Sequence, residues 1–179
     1  KRWTGDVTSA ANPLPLTLLA STSLTAQFDI DSFSVTVNIA GSGSVSRQPS
    51  LGAYAFGDSV ALTALPATGY HFVAWGGDAS GAGNPLVVVV DAAKAITAAF
   101  AVNTYTVQIG VIGNGSVVPL PDLPSYPHGT GVTLTATSDP GYHFVAWSGD
   151  TASALNPLAF VVTANRSLTA TFAVDTRTL

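Results

Sequence analysis

The chain repeats itself every 72 residues. Trp3, Trp75 and Trp147 fall at that interval, as do Phe28, Phe100 and Phe172. Asn12-Pro13-Leu14, Asn84-Pro85-Leu86 and Asn156-Pro157-Leu158 keep the same step. Residues 33–103 align with 105–175 without a gap, and about half of the aligned positions are identical. Self-similarity of this kind means that one structural unit is written more than once, so each motif must be judged by whether both copies carry it. The register divides the chain into two complete repeat modules, 32–103 and 104–175. Residues 1–31 read as the C-terminal part of a truncated repeat that starts just before its Trp, and 176–179 as a linker or tail. On this reading the chain is an excerpt of something longer or a processed product.

Within a unit the hydrophobic period is two. Phe33, Val35, Val37 and Ile39 alternate with Ser34, Thr36 and Asn38, and the second unit repeats the pattern with Tyr105, Val107, Ile109 and Val111. Such alternation puts one apolar row on one face of a sheet. Gly41-Ser42-Gly43 and Gly113-Asn114-Gly115 then signal a hairpin turn. Another strand is expected through Val60, Leu62 and Ala64, and through Val132, Leu134 and Ala136. Next comes a heptapeptide spelled identically at 69–75 and 141–147, Gly-Tyr-His-Phe-Val-Ala-Trp. It is apolar at both parities, which predicts a strand buried on both faces. Strands over 86–90 and 96–102 close the unit. The loops at 77–84 and 91–94 have room for a helical turn at most. The expected fold class is mainly β, in small β-grasp-like or β-sandwich-like modules of 72 residues with little or no helix.

Composition agrees. Only 9% of residues are charged, none is Glu or Met, and two are Lys, so strong helix formers are scarce. The hydrophobic fraction of 47% is enough for a packed core. A net charge of −4 with scattered basic residues argues against a nucleic-acid surface. No cysteine is present, so disulfides, thiolate metal sites and a Cys nucleophile are all excluded. The longest apolar runs, 14–20 and 86–90, are too short for a helical membrane span.

The ordered motifs resemble the internalin B-repeat-like family of bacterial surface proteins, divergent type. They run from Val37 to Val45, Val60 to Ala64, Gly69 to Asp78, Asn84 to Leu86 and Ile96 to Phe100, and recur from Gly113 to Phe172. The resemblance covers nearly the whole chain. It implies a small, mostly β, β-grasp-like module, tandem arrays in secreted or surface-anchored proteins, no catalytic residues, and a spacer, stalk or adhesive role. One departure is Ala74 and Ala146, where the family often has Gly before its Trp.

Each chemical motif has a structural reading that fits better. The Gly-x-Gly turns lack the following helix that a phosphate loop needs. His71 and His143 are single in their heptapeptides; His128 is the other histidine of the second unit and Asp139 the acid nearest His143, short of a zinc set. They are taken as partly exposed structural residues. Asp78 with Asn84, and Asp150 with Asn156, offer too few oxygens for calcium. Asp6, Asp78, Asp150, Asn12, Asn84 and Asn156 are instead expected to fix turns. Ser148 has Gly76 as its counterpart, which removes a Ser–His–Asp reading. Asn114 and Asn165 fit the N-glycan acceptor pattern in turns. The structural core is assigned to Trp3, Tyr70, Phe72, Trp75, Phe100, Tyr142, Phe144, Trp147 and Phe172.

The expected function is a non-catalytic structural module of an extracellular or cell-surface protein, without cofactor or metal, acting as stalk, spacer or fibre subunit. An adhesin binding glycans or a protein through loops 76–84 and 148–156 is the alternative. The partners are neighbouring repeats of the same chain; copies of itself in a fibre and surface glycans are candidates. Sheet edges with so little charge to guard them favour self-pairing.

Overall fold

The structure, a computed structural model, describes residues 1–176; the rest of the expected tail lies outside them. It is all-β, with no helix among the described residues. Residues 1–31 contribute β1 (Arg2–Gly5) and β2 (Leu24–Gln27). The first full unit contains β3 (Ser32–Phe33), β4 (Val35–Ala40), β5 (Gly43–Gln48), β6 (Tyr54–Ala55), β7 (Ser59–Pro66), β8 (Tyr70–Gly77), β9 (Leu86–Val89) and β10 (Lys94–Val102). The second contains β11 (Thr104–Tyr105), β12 (Val107–Ile112), β13 (Gly115–Leu120), β14 (Tyr126–Pro127), β15 (Thr130–Ser138), β16 (Tyr142–Gly149), β17 (Leu158–Val162) and β18 (Arg166–Val174).

Each unit is a sandwich of two three-stranded sheets. In the first unit the orders are β4-β10-β8 and β5-β7-β9; in the second they are β12-β18-β16 and β13-β15-β17. Short pairs β3–β6 and β11–β14 sit at the ends. The first long strand lies parallel to the last, with Val35 opposite Lys94 through Ala40 opposite Ala99. A parallel pair needs a long crossover, and here the whole unit is that crossover.

Alternation decides which side chains face inward. Val60, Leu62 and Ala64 of β7 are buried, as are Ile96, Ala98 and Phe100 of β10, and together with Val35, Tyr54, Trp75, Val88 and Val90 they form one cluster between the sheets. The second unit builds the equivalent cluster around Trp147, Leu134, Leu168 and Phe172. Full burial of each Leu, Ile or Phe contributes about 1.5–3 kcal/mol, and two separate clusters mean two separately stabilised units.

Two local expectations are corrected. The heptapeptide strand is not buried on both faces: β8 is an edge strand, and His71 and Val73 are exposed. Its apolar residues at both parities have a different cause. Ala99 pairs with Ala74 and Phe100 with Phe72, so Val73 is the extra residue of a β-bulge. A bulge reverses the inside–outside parity beyond it, which lets Phe72 and Trp75 both face the core. Their rings lie 5.1 Å apart, and Phe72 meets Phe100 edge-on at 5.9 Å. Val145 takes the same place in β16, with Phe144 5.4 Å from Trp147.

The Gly-x-Gly turn does not make a hydrogen-bonded hairpin either. β4 and β5 belong to different sheets, so the turn carries the chain across the core edge. The Phe100 ring stands directly on Gly43, where a Cβ would come within 2.7 Å of it, and this ring holds the two strands apart. Phe172 stands on Gly115 in the same way. The loops at 77–84 and 91–94 contain bends but no helical turn.

Candidate functional site

The Trp-x-Gly-Asp loops are the chain's most motif-like feature, and they occur three times. Each begins at the end of an edge strand, where Trp makes an isolated bridge to the loop: Trp3 with Ser9, Trp75 with Gly81 and Trp147 with Ser153. The indole Nε1 then donates to a carbonyl eight residues on. The acceptors are Ala11 O at 3.0 Å, Gly83 O at 2.9 Å and Leu155 O at 3.0 Å. In the two full units the buried Trp therefore shapes the loop as well as filling the core.

The carboxylates are committed in the same way. Asp6, Asp78 and Asp150 each accept through Oδ2 from the backbone N–H that opens the returning strand, at Ser23, Ala95 and Ser167, all at 2.7 Å. Each also donates its own N–H back to that residue's carbonyl at 3.0 Å. The Gly before the Asp makes this clasp possible. Gly77 has φ +90°, and a Cβ there would meet Ala95 O at 2.3 Å; Gly5 and Gly149 repeat both features. Only a residue without Cβ takes such a position cheaply.

Asn84 ties its loop to β7. Its Oδ1 accepts from Ala64 N and its Nδ2 donates to Ala64 O, both at 2.9 Å, so the amide completes the unpaired end of β7. Asn156 does the same for Ala136 at 2.9 and 2.7 Å. Asn12 sits in the matching loop, but residues 1–31 include no strand in the place of β7. The loop of each full unit thus spends its Asp and Asn on backbone groups. No group of three or more His, Cys, Asp or Glu suited to a metal occurs among the described residues.

The histidines stand apart from these loops. His71 Nδ1 donates to Asn103 Oδ1 at 2.8 Å, and His143 Nδ1 to Asp175 Oδ1 at 2.9 Å, each at the exit of its unit. His128 packs beside Tyr105, ring centres 6.0 Å apart. Asp175 meets His143 through Nδ1 as an orienting acid would, but no Ser hydrogen-bonds to any of the three rings among the described residues, so no catalytic triad is assembled. The two candidate glycan acceptors are exposed. Asn114 is in the turn between β12 and β13, and Asn165 in the turn before β18, where its Oδ1 also accepts from Thr106 N at 3.0 Å.

Of the assigned core residues, Trp75, Trp147, Phe100 and Phe172 are buried; Tyr70, Phe72, Tyr142 and Phe144 are half-buried against them. Trp3 is half-buried, and Phe28, which holds the place of Phe100 and Phe172, is 74% exposed. Sequence reasoning missed Tyr54 and Tyr126, which are among the most buried side chains. Their hydroxyls donate to Pro49 O at 2.7 Å and Pro121 O at 3.0 Å. The signal was present, since the two tyrosines are themselves one repeat apart.

A cavity of about 70 Å³ opens beside Trp3, edged by Arg2, Asn12 and Phe28. It is far below the roughly 300–1,000 Å³ of a ligand pocket. No helix among the described residues is long and apolar enough to cross a membrane.

Comparison with curated proteins and with solved structures found no match. A family model does match, twice in tandem, over residues 33–104 and 105–176. These spans reproduce the 72-residue period and contain all the sandwich strands but the first residue of β3, so the chain belongs to the divergent InlB B-repeat domain family.

Proposed function

We propose that this chain is a stretch of a tandem array whose work is to set distance at a cell surface, as a stalk or spacer. The family is one of repeat modules in bacterial surface proteins and is generally non-enzymatic. One observation carries the finer reading. The polar side chains that look like a site, Trp, Asp and Asn, are tied to the same backbone groups in both full units, so they hold the loops in shape rather than face a ligand. Residues 1–31 are read as the C-terminal portion of a preceding unit, because the Trp3 and Asp6 bonds copy those of the other two. The loops proposed for adhesion present no aromatic side chain beyond the Trp that opens them.

A fibre subunit is the second reading, favoured by outward-facing Val87, Val89, Val118, Leu120 and Val161, each 53–73% exposed. Size exclusion with light scattering, and negative-stain images of the same sample, separate the two. A monodisperse elongated monomer supports the spacer. Ordered polymers overturn it in favour of the fibre.

A further inference from the structure

We propose that consecutive units are locked by a ring-on-glycine joint centred on Asn103, and that Gly141, His143 and Asp175 offer the same seat to a following unit of the same kind. The inference rests on the array reading and adds how its members couple.

Asn103 is the residue between the last strand of one unit and the first of the next, and it is held from both sides. Its N–H donates to Gly69 O in the first unit at 2.8 Å. Its carbonyl accepts from His128 N in the second unit at 2.8 Å. Its side-chain Oδ1 accepts from His71 at 2.8 Å. The connection therefore cannot swivel without breaking bonds to both neighbours.

Over this clamp the second unit lays a ring on the first. His128 lies so close on Gly69 that a Cβ there would come within 2.3 Å of Cδ2 and 2.5 Å of Cγ. The ring is used for its shape. Its Nδ1 is buried and has no hydrogen-bond partner among the described residues. The equivalent of His128 in the first unit is Phe56, an apolar ring, and it is 61% exposed. Phe56 N donates to Asp31 O at 2.8 Å, which is the same half of the clamp.

The other half recurs at the end of the second unit. Asp175 N donates to Gly141 O at 2.8 Å, and His143 reaches the Asp175 carboxylate at 2.9 Å. Among the described residues, nothing lies within 4 Å of where a Gly141 Cβ would be. Gly141 has φ +82°, close to the +79° of Gly69, so the seat is already formed. Its occupant is fixed by the joint already seen: the turn after the short strand β14 or its counterpart, carrying His or Phe where this chain has His128 and Phe56.

The chain has no cysteine, so spin labels at Ser80→Cys and Ala154→Cys report on the joint alone. A narrow distance distribution is expected, broadened by His128→Ala and by Gly69→Val and kept narrow by His128→Phe. His128→Phe is also expected to raise the melting temperature, since it removes an unpartnered nitrogen from the seat. Tryptophan emission from each variant confirms that both units remain folded. In a chain carrying residues 104–175 once more after Asp175, labels on the second and third units should give an equally narrow distribution that Gly141→Val broadens. A distribution already broad in the unsubstituted chain, or unchanged by His128→Ala and Gly69→Val, overturns the joint. Light scattering of the same samples tests the spacer separately: polymers with a narrow distribution sink the spacer and leave the joint, whereas monomers with a broad one do the reverse.

Discussion

Trp75 has two roles that a smaller side chain cannot divide. It fills the sandwich at 3% exposure, and its Nε1 shapes the loop through Gly83. Trp75→Ala should cost about 3–5 kcal/mol, against a total of about 5–15 kcal/mol for an ordinary domain. The first unit should then melt well below the second, which calorimetry would resolve and Trp147 fluorescence would assign. His71→Ala touches only the exposed exit of the unit and should shift stability by no more than about 0.5 kcal/mol. Loss of a metal-binding or enzymatic activity in that variant would refute the structural reading of the heptapeptide. At this scale the repeat made much legible, because a Trp, Asp or Asn recurring at one interval must serve every copy. Tyr54 and Tyr126 obey the same interval, but their role comes from burial in the core and from hydroxyl bonds to the carbonyls of Pro49 and Pro121, five residues back, which no motif or alternation marks.

At the scale of the element, the bulge explains why the heptapeptide is spelled as it is. Val73 is exposed and its side chain contributes little, but its presence sets which residues face inward. Val73→Ala should therefore stay within about 1 kcal/mol of the parent. Deleting Val73 should instead unfold the first unit, because a one-residue slip sends either Phe72 or Trp75 to solvent. Urea denaturation of the two variants makes the comparison. Equal effects would mean that the bulge has no say in the parity. Strand positions could be read from period-two alternation in β7 and β10, where no bulge intervenes. The pattern misled at β8 because apolar residues at both parities look the same whether a strand is buried twice or bulged once. It misled again at Gly41–Gly43, where a hairpin turn and a crossing between sheets use the same glycines. Only the Phe100 ring, far along the chain, decides between them.

For the whole molecule, the sequence showed how many units there are but not how they meet. The residues of the joint, Gly69, Asn103 and His128, are scattered, and His128 breaks the repeat by replacing Phe. The parallel pairing of the first and last long strands has a consequence of another kind. Tension on an array enters a unit near Val35 and leaves near Val102, at opposite ends of two neighbouring strands. The load then runs along the strands, and the ladder of six register pairs from Val35–Lys94 to Ala40–Ala99 has to slip as one rather than peel bond by bond. Single-molecule pulling through the ends of the unit should need a higher rupture force than pulling from handles at Ser34 and Lys94, which lie at the same end of the ladder and open it like a zip. Such a unit would hold its length up to a threshold force and then give way all at once, so that a row of them acts as a mechanical fuse.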